Sequence, residues 1–410
     1  MVPPIIRMFV IMIKKPWLTI IGVNADDINS LSEKAIQSIK DAEFVMGAKR
    51  HLENFEIFKV KTCVWPVPFK KGLEKLFKYR GKKVVVLFSG NVFWYGAGSI
   101  IAENLDRNEW VCYQSSSTFS LAAAKVGWAI QDTLCFGLHA SPIETLRPYL
   151  APQVKILVLL KDGNCVIDLA KWLSQEQFGQ SDLFIMESLG FKKEKIRHTT
   201  ADFLDFDDLK HPVCVAIIVS GDGEVIPYSS GKPDNLFQND GQITKQPIRA
   251  LTISAMAPKP FEHLWDIGSG SGSISIEWLL ASNTNTASAI EILSNRAEQI
   301  KLTAKKFGLS NLNVYHNDIN EIIDILQKPD VIFIGGGLTE NLLLKVWKLI
   351  NADTRIIINS VTLETTSILI EAHKKYGGSL HKFELSNITN LGKKRAWSAS
   401  YPIVQWVVKK

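Results

Sequence analysis

The sequence predicts an α/β protein built from two consecutive units. From Trp17 onward, apolar runs typical of buried strands alternate with helical patterns. A polar stretch that contains glycine and proline, residues 221–246, separates this first series from a second one. Because strands that alternate with helices usually form a sheet that helices cover, we expect mainly parallel sheets.

The first series combines apolar strand-like runs with helices that begin at hydroxyl residues. Ser32 is the expected N-cap of an amphipathic helix over residues 32–42, and a Ser/Thr cap at Ser117 begins a helix over residues 117–128. Strands are expected at residues 17–23, 82–90, 154–160, 181–189 and 213–220.

The second series opens with the apolar run Leu264–Ile267, which leads directly into a glycine loop. Its closing segments, "HKFELSNIT" and "YPIVQWVV", alternate apolar and polar residues as an antiparallel hairpin would. We therefore expect this unit to end with an antiparallel strand. Its other strands are expected at residues 288–292, 312–318, 329–337 and 354–361.

Composition and charge exclude several classes of protein. The net charge of +6 is spread along the chain without a run of five like charges, which disfavours a nucleic-acid-binding tail. The five cysteines are scattered and form no Cys-x-x-Cys pair, and the histidines show no metal-ligand spacing. These patterns predict a reducing, cytoplasmic location without disulfides, a zinc site or any other metal.

The N-terminal stretch is apolar only in part. It is shorter than the ~20 residues that a membrane span needs, Arg7 and prolines interrupt it, and no small-residue cleavage site follows. We expect a disordered leader at residues 1–16, with translation starts also available at Met8 and Met12, and no membrane partner. The domains are then residues 17–225 and 226–410.

The segment "LWDIGSGSGSISIEW" places three glycines at alternate positions between a strand and a helix. Glycines let ligand atoms approach the backbone, and the helix N-terminus offers free N–H groups. No Lys-Ser/Thr follows, so this is not a P-loop, and the spacing is not that of G-x-G-x-x-G. The pattern resembles the first motif of Rossmann-like S-adenosylmethionine methyltransferases, in which the loop wraps the methionine end of the cofactor.

Three acids accompany this loop, and the resemblance gives each a place at the cofactor. Glu291 ends the next strand, where a carboxylate accepts ribose hydroxyls, and Asp318 ends the third, within reach of the adenine amine. Asp266 stands before the first glycine, either at the cofactor or bracing the glycine turn by hydrogen bonds. The expected cofactor-binding residues of this unit are Asp266, Gly268, Ser269, Gly270, Gly272, Glu291 and Asp318.

Longer motifs extend the resemblance over both units. The first unit contains "GAKRHL", "VVVLFSGNVFWYGAGS", "SSSTFSLAAAKVGW" and "LHASP"; the second contains "GKPDNLFQNDGQITKQPIRALTISAMAP", "FIGGGL", "NSVTLE" and "PIVQW". In this order they resemble the precorrin C5,15-methyltransferases of cobalamin biosynthesis. The resemblance implies a two-lobed tetrapyrrole methylase fold acting at C5, then a Rossmann-like class I methyltransferase fold that methylates C15 and decarboxylates the C12 acetate arm. It also implies one S-adenosylmethionine per domain, a tetrapyrrole substrate with or without cobalt, and a homo-oligomer.

For the second unit the resemblance suggests residues near the chemistry. Residues 240–245 precede the Rossmann core and are expected to fold over the cofactor cleft. Asp240, Thr244 and Lys245 are the expected catalytic residues, and Lys245 or Arg249 would pair with substrate carboxylates. Alternatively, residues 242–244 only cap a helix. The expected substrate-binding residues are Gln242, Arg249, Gly335, Gly336 and Gly337; the basic cluster at residues 393–395 could hold propionates or be a solvated loop.

For the first unit the resemblance implies a cofactor bent in a cleft between two lobes. The expected cofactor-binding residues are Gly22, Gly90, Asn91, Ser117 and Thr118, although N-capping alone would explain the last two. The sequence departs from the family pattern, because Asn24 and Asp27 replace two glycines and Asn91-Val92 replaces Asp-Pro. His139 is interpreted as a loop or core histidine rather than a base.

These departures motivate an alternative in which only the second unit is active and the first is a scaffold. A methyltransferase of RNA or protein is disfavoured because no basic aromatic stripe is present. A dinucleotide oxidoreductase is disfavoured by the glycine spacing and by Asp266.

Overall fold

The computed structural model describes residues 16–24, 31–53 and 56–410. The predicted leader, apart from residue 16, and Asp27 lie outside the described residues. The chain divides into two compact units: residues up to Ser141 together with Ala151–Glu224, and Pro142–Leu150 together with Val225–Lys410. The division after Glu224 falls within the polar stretch at residues 221–246.

The first unit contains two five-stranded sheets and their covering helices. Its elements are β1 (Leu18–Val23), α1 (Glu33–Lys40), β2 (Phe44–Gly47), α2 (Lys49–Glu53), β3 (Thr62–Val64), α3 (Phe69–Phe77), β4 (Val84–Ser89), α4 (Ala97–Glu103), β5 (Trp110–Tyr113), α5 (Thr118–Val126), β6 (Leu134–Gly137), β7 (Lys155–Leu160), α6 (Gly163–Gln175), β8 (Asp182–Glu187), β9 (Lys195–Thr200) and β10 (Val213–Ile218). Both predicted N-caps are confirmed: the Ser32 hydroxyl accepts from the Ala35 N–H, and the Ser117 hydroxyl accepts from the Ser120 N–H.

The two sheets of the first unit differ in strand direction. The first sheet, in the order β3-β2-β4-β1-β5, is parallel throughout. In the second sheet, ordered β6-β7-β10-β8-β9, only β6 and β7 pair in parallel. The prediction of a mainly parallel sheet is wrong here, because β10 inserts antiparallel between the parallel strands β7 and β8, and β9 returns from β8 through a short turn.

The second unit is one sheet covered by helices, with a separate hairpin. Its elements are α7 (Gln246–Met256), β11 (His263–Ile267), α8 (Ser273–Ala281), β12 (Thr286–Glu291), α9 (Ser294–Lys306), β13 (Leu312–His316), α10 (Ile319–Ile322), β14 (Val331–Ile334), α11 (Glu340–Leu349), β15 (Arg355–Ser360), α12 (Leu363–Tyr376), β16 (Ser379–Phe383), β17 (Ser386–Leu391), β18 (Lys394–Ala399) and β19 (Ile403–Lys409). Apolar residues from both faces of the sheet form its core, including the fully buried Trp265 and Trp406.

The seven strands of this sheet follow the order β13-β12-β11-β14-β15-β19-β16. The first five are parallel, and β19 is antiparallel to both of its neighbours. The predicted antiparallel closing strand is confirmed. However, an exposed hairpin of β17 and β18, which the sequence analysis did not predict, lies between the two closing strands along the chain.

The parallel strands continue outward in opposite directions from β11 and β14. The carboxyl ends of these two strands therefore form a topological switch point, where ligands of open α/β sheets bind. In the part of the chain that the structure describes, no helix is long and apolar enough to cross a membrane.

Candidate functional site

A cavity of about 1140 Å³ opens at the carboxyl ends of the parallel strands of the second unit. Pockets for one small molecule usually measure ~300–1,000 Å³, so this cavity has room for more than one ligand. Its lining includes residues from the glycine loop, from the ends of β12 to β15 and from segments on either side of the sheet: Gln242, Ile243, Thr244, Lys245, Gly268, Ser269, Gly270, Glu291, Arg296, Asn317, Asp318, Gly335, Gly336, Gly337, Asn359 and Tyr401.

The glycine loop joins β11 to α8, and its three glycines have different surroundings. All three have φ between 58° and 71°, the left-handed region that favours glycine. A Cβ on Gly268 would lie 2.8 Å from the Gly336 carbonyl oxygen, and one on Gly272 would lie 2.9 Å from Ile300. Around Gly270 the nearest such atom, the Gln242 carbonyl oxygen, is 3.9 Å away. Gly270 is therefore the glycine at which a ligand can approach the backbone.

Asp266 lies behind this loop and is fully buried. One carboxylate oxygen, Oδ2, accepts from the N–H and the hydroxyl of Ser275, at 3.2 and 2.6 Å, while Oδ1 is buried without a partner. Burial raises the pKa of this carboxyl to about 6. Asp266 is not among the cavity-lining residues, so the structure favours the bracing of the loop and of α8 over direct cofactor contact.

Glu291 and Asp318 both line the cavity, and Glu291 also contacts the glycine loop. Glu291 accepts hydrogen bonds from the N–H groups of Gly270 and Leu293, at 2.8 and 2.9 Å. Asp318 caps α10 by accepting from the Asn320 N–H at 2.8 Å. The predicted pair of strand-end carboxylates therefore lies beside the same cavity as Gly270, with each oxygen still able to accept further hydrogen bonds.

The segment at residues 240–245 borders the cavity, but its residues face different surroundings. Gln242, Thr244 and Lys245 line the cavity, whereas Asp240 does not. The Asp240 carboxylate accepts two hydrogen bonds from Arg296, at 2.8 and 2.9 Å, and the same guanidinium donates to Gln242 Oε1 at 2.9 Å. This arginine lowers the pKa of Asp240, which is therefore ionised at neutral pH.

Arg249 is placed differently from its prediction as a substrate-binding residue. Its side chain is fully buried and pairs with Glu277 at 2.6 Å and Asp234 at 2.9 Å. It also donates to the carbonyl oxygens of Thr244 and Lys232. A buried guanidinium needs such partners, and with them it cannot reach a substrate. The prediction is wrong: Arg249 instead holds the end of the 240–245 segment through its hydrogen bond to the Thr244 carbonyl oxygen.

The cavity wall formed by β14, β15 and the chain after β18 contains no charged residue. Gly335, Gly336 and Gly337 line it, and a Cβ on Gly336 or Gly337 would meet nothing within 4 Å. Asn359 and Tyr401 also line this wall and were missed by the sequence analysis. The signal for Asn359 was a polar residue at the end of an apolar strand. The cluster at residues 393–395 lies at the exposed turn between β17 and β18.

In the first unit the predicted cofactor residues meet where β1 and β4 end. A Cβ on Gly22 would lie 2.0 Å from the Gly90 carbonyl oxygen, and Gly90 in turn lies against Ser117. Ser117 caps α5, of which Thr118 is the first residue. Asn91 Oδ1 accepts from the Phe93 N–H at 3.0 Å.

Two residues that depart from the family pattern are accommodated at this place. In the amide orientation that satisfies both groups, Asn24 donates to the Ser116 carbonyl oxygen at 2.9 Å and accepts from the Ser116 N–H at 3.3 Å. Val92 is fully buried in the core of the first sheet, and its N–H donates to Gln114 Oε1. His139 is exposed on a loop. The substituted residues therefore keep the turn intact.

The sequence analysis also missed a polar cluster at the end of β4. Ser89 Oγ lies 3.1 Å from His51 Nε2, and Arg50 donates to both side chains, at 3.2 and 3.3 Å. Burial, followed by the Arg50 charge, lowers the pKa of His51 to about 4. The imidazole is therefore neutral at physiological pH and accepts hydrogen bonds at Nε2.

Two family models match the chain, one in each unit. The model described as "Tetrapyrrole (Corrin/Porphyrin) Methylases" covers residues 18–205, and "Precorrin methyltransferase domain" covers residues 235–410. Together with the two-lobed first unit and the Rossmann-like second unit, they define the class of protein: an S-adenosylmethionine-dependent C-methyltransferase that modifies tetrapyrroles.

Relatives that match nearly the whole chain identify the family. A precorrin-6Y C(5,15)-methyltransferase [decarboxylating] from Sinorhizobium sp is 36% identical over 96% of both chains. One from Mycobacterium tuberculosis is 31% identical over 96% of this chain and 100% of its own. The chain belongs to the precorrin-6Y C(5,15)-methyltransferase (decarboxylating) family, which confirms the resemblance.

A solved structure of part of such a protein is also similar. The C-terminal domain of precorrin-6Y C5,15-methyltransferase from Rhodobacter capsulatus is 39% identical, and the match covers 45% of this chain and 100% of that one, with a TM-score of 0.44.

Proposed function

We propose that this chain transfers two methyl groups to a precorrin macrocycle, at C5 in the first unit and at C15 in the second. The second unit also removes the carboxylate of the C12 acetate arm. The observation that carries this proposal is the cavity at the switch point of the sheet in the second unit, which Gly270, Glu291 and Asp318 line together. The match of relatives over both units supports two activities rather than a scaffold and one activity.

The cavity of the second unit fits S-adenosylmethionine. Gly270 leaves backbone open to the ligand, and the first turn of α8 contributes N–H groups. The loop from Gly268 to Gly272 would hold the methionine end, Glu291 the ribose hydroxyls and Asp318 the adenine amine. When bound, the cofactor supplies an electrophilic methyl group on a sulfonium.

The residues of the chain contribute mainly by orienting the substrate and excluding water. Holding a nucleophilic carbon in line with the transferable group can account for most of a rate enhancement. Gln242, Thr244 and Lys245 cover one side of the cavity, and Gly335–Gly337 leave room for a flat macrocycle on the other. Lys245 and Arg296 are the basic side chains of the lining and would pair with peripheral carboxylates of the substrate.

Asp240 acts in this proposal through its neighbour. Because it pairs with Arg296 and is ionised, it cannot donate a proton, and it does not line the cavity. It would hold Arg296 and Gln242 in place, as a positioning residue rather than the catalytic residue expected from the sequence.

The first unit would bind a second S-adenosylmethionine beside Gly22, Gly90, Asn91, Ser117 and Thr118. The closely packed turn of Gly22 and Gly90 and the start of α5 support this assignment. The cytoplasmic location and the homo-oligomer expected from the sequence stay predictions.

Two measurements test the proposal. Incubation with methyl-labelled cofactor and a precorrin should give a product with two added methyl groups and one lost carbon dioxide, read by mass spectrometry. Calorimetry should detect two cofactor sites per chain. One site and one methyl group would instead support the scaffold alternative, and nicotinamide binding would refute methyl transfer.

A further inference from the structure

Asn359 lies at the carboxyl end of β15, where it lines the uncharged wall of the cavity. Two buried residues hold its amide: Thr252 on α7 and Gln405 on β19. Asn359 Nδ2 donates to Thr252 Oγ1 at 2.9 Å, and Asn359 Oδ1 accepts from Gln405 Nε2 at 2.9 Å. The three side chains come from three elements that are distant in sequence, so this is a built arrangement rather than a local turn.

The hydrogen bonds of this cluster fix which way the Asn359 amide points. The Thr252 hydroxyl donates to the Ile248 carbonyl oxygen at 2.8 Å, so its oxygen is left to accept. The amide nitrogen of Asn359 must therefore face Thr252, and its oxygen must face the Gln405 amide nitrogen. A primary amide has two N–H donors, so one N–H of Asn359 remains for a ligand in the cavity.

Charge is distributed unevenly around the cavity. The basic lining residues, Lys245 and Arg296, come from the 240–245 segment and α9. The lining residues contributed by β14, β15 and the chain after β18 have no charge; they include Gly335, Thr339, Asn359, Val361 and Tyr401. Carboxylates of a substrate that reach Lys245 or Arg296 would meet a cation, whereas a carboxylate at the opposite wall would meet only neutral groups such as the Asn359 amide.

The reaction itself is favoured when the carboxylate that is lost has no cationic partner. During decarboxylation the bond between the acetate CH₂ and the carboxylate breaks, and its electron pair enters the ring system made electron-poor by methyl transfer. Carbon dioxide leaves, one proton adds to the CH₂ carbon and completes a methyl group on the ring, and the methylated C15 loses its proton, so that the protons balance. Because negative charge leaves the carboxylate, a lysine or arginine would stabilise the ground state more than the transition state. A neutral N–H donor orients the group without this cost.

We propose that the Asn359 amide holds the carboxylate that is lost, and that Thr252 and Gln405 are positioning residues that aim its free N–H. This assignment rests on the proposed function of the second unit. It separates the substrate carboxylates into one that reacts at Asn359 and others that anchor the macrocycle at Lys245 and Arg296.

The test is the ratio of two products of the complete chain, resolved by mass spectrometry. Asn359→Ala should lower the yield of decarboxylated product about ten- to a hundredfold, because the carboxylate is no longer held in the orientation from which its bond to the CH₂ group breaks. A product that carries the C15 methyl group but retains the carboxylate should accumulate. Cofactor affinity of the second unit, measured by calorimetry, should change less than about twofold.

A matched control comes from the same cavity. Asn317 lines the cavity beside Asp318, on the cofactor side, so Asn317→Ala should leave the product ratio as in the unmodified chain. Gln405→Glu tests positioning without touching the cavity lining: a carboxylate there attracts the Asn359 N–H and turns the amide oxygen toward the substrate. Gln405→Glu should therefore raise the fraction of product that retains the carboxylate. Gln405→Asn keeps an amide at this position and should give a product ratio closer to that of the unmodified chain.

The outcomes separate this assignment from the function on which it rests. If Asn359→Ala and Asn317→Ala reduce methylation and decarboxylation in parallel with an unchanged product ratio, the assignment to Asn359 is wrong and the proposed function stands. If the unmodified chain adds no methyl group at C15, the proposed function fails, and the assignment fails with it.

Discussion

The two units use glycine at strand ends in opposite ways. In the first unit, Gly22 and Gly90 let two turns touch, because a Cβ on Gly22 would lie 2.0 Å from the Gly90 carbonyl oxygen. In the second unit, Gly270 and Gly336 face the cavity with little or nothing around the position of a Cβ. The same residue type therefore serves backbone packing in one unit and ligand access in the other.

Buried titratable groups show a second contrast. His51 in the first unit is kept neutral because burial lowers its pKa to about 4. Asp266 in the second unit has its pKa raised to about 6, also chiefly by burial. Burial disfavours the charged form in both cases, but one group is a base and the other an acid, so the contributions of these two groups to stability should depend on pH in opposite directions.

The strongest test of the glycine contrast is Gly22→Ala. The added methyl group would overlap a backbone oxygen, so the turns must separate, and we expect a loss of about 3 kcal/mol or more in the stability of the first unit. Hydrogen exchange resolved by unit would measure this loss. Gly81→Ala is the control in the same unit, because its Cβ meets nothing within 4 Å and only backbone strain at φ +89° remains. Equal effects of the two variants would contradict the packing role of Gly22.

The pH contrast predicts opposite changes between about pH 4 and pH 6. Unfolded His51 takes up a proton below pH 6.5, whereas folded His51 does so only near pH 4, so the first unit should lose up to about 3 kcal/mol as the pH falls through this window. Folded Asp266 keeps its proton up to about pH 6 and unfolded Asp266 up to 3.8, so the stability that Asp266 contributes to the second unit should be lost as the pH rises through this window.

Denaturant unfolding followed by hydrogen exchange in each unit would measure whether the stability changes with pH in the two predicted directions. His51→Gln should remove the part of the acid sensitivity of the first unit that His51 causes, since glutamine can still accept from Ser89 but does not titrate in this range. A first unit whose stability is the same at pH 4 and pH 7 would show that His51 is not held neutral by the fold.

The third test concerns ligand access at Gly270. Gly270→Ala should cost only about 1–2 kcal/mol of stability, from its left-handed backbone, because the nearest atom to the new Cβ is 3.9 Å away. The methyl group projects toward the cavity, however, so we expect cofactor affinity in the second unit to fall about ten- to a hundredfold. Calorimetry should then show one weakened site and one unchanged site. Two weakened sites would contradict an effect of Gly270 that is confined to the cavity of the second unit.

The sequence was sufficient to predict features that depend on local residues. Apolar runs that alternate with helical patterns predicted the parallel strands of the second unit, and Ser32 and Ser117 marked helix starts through their own hydroxyl groups. The glycine loop with Glu291 and Asp318 could be predicted because the carboxyl ends of parallel strands meet at one edge.

Features that depend on distant partners could not be predicted. Nothing local indicates that β10 inserts antiparallel between β7 and β8. The sequence analysis assigned Arg249 to the substrate, whereas the fold buries it and pairs it with Glu277 and Asp234. Asn359 and Gln405 are 46 residues apart in sequence, so their pairing is visible only in the fold.

The smallest expected effect is that of Asp240→Asn, which tests whether Asp240 acts through its pairing with Arg296 or takes a direct part in the chemistry. Asp240→Asn keeps an oxygen that can accept from Arg296 but removes the charge, and the residue does not line the cavity. We expect C15 methylation to slow by less than about threefold, since exposed ion pairs contribute little. Arg296→Ala is the informative partner variant, because it removes a lining residue and should raise the KM for the tetrapyrrole more than Asp240→Asn does. A hundredfold loss of kcat in Asp240→Asn, with normal cofactor binding, would instead assign Asp240 a direct part in the chemistry.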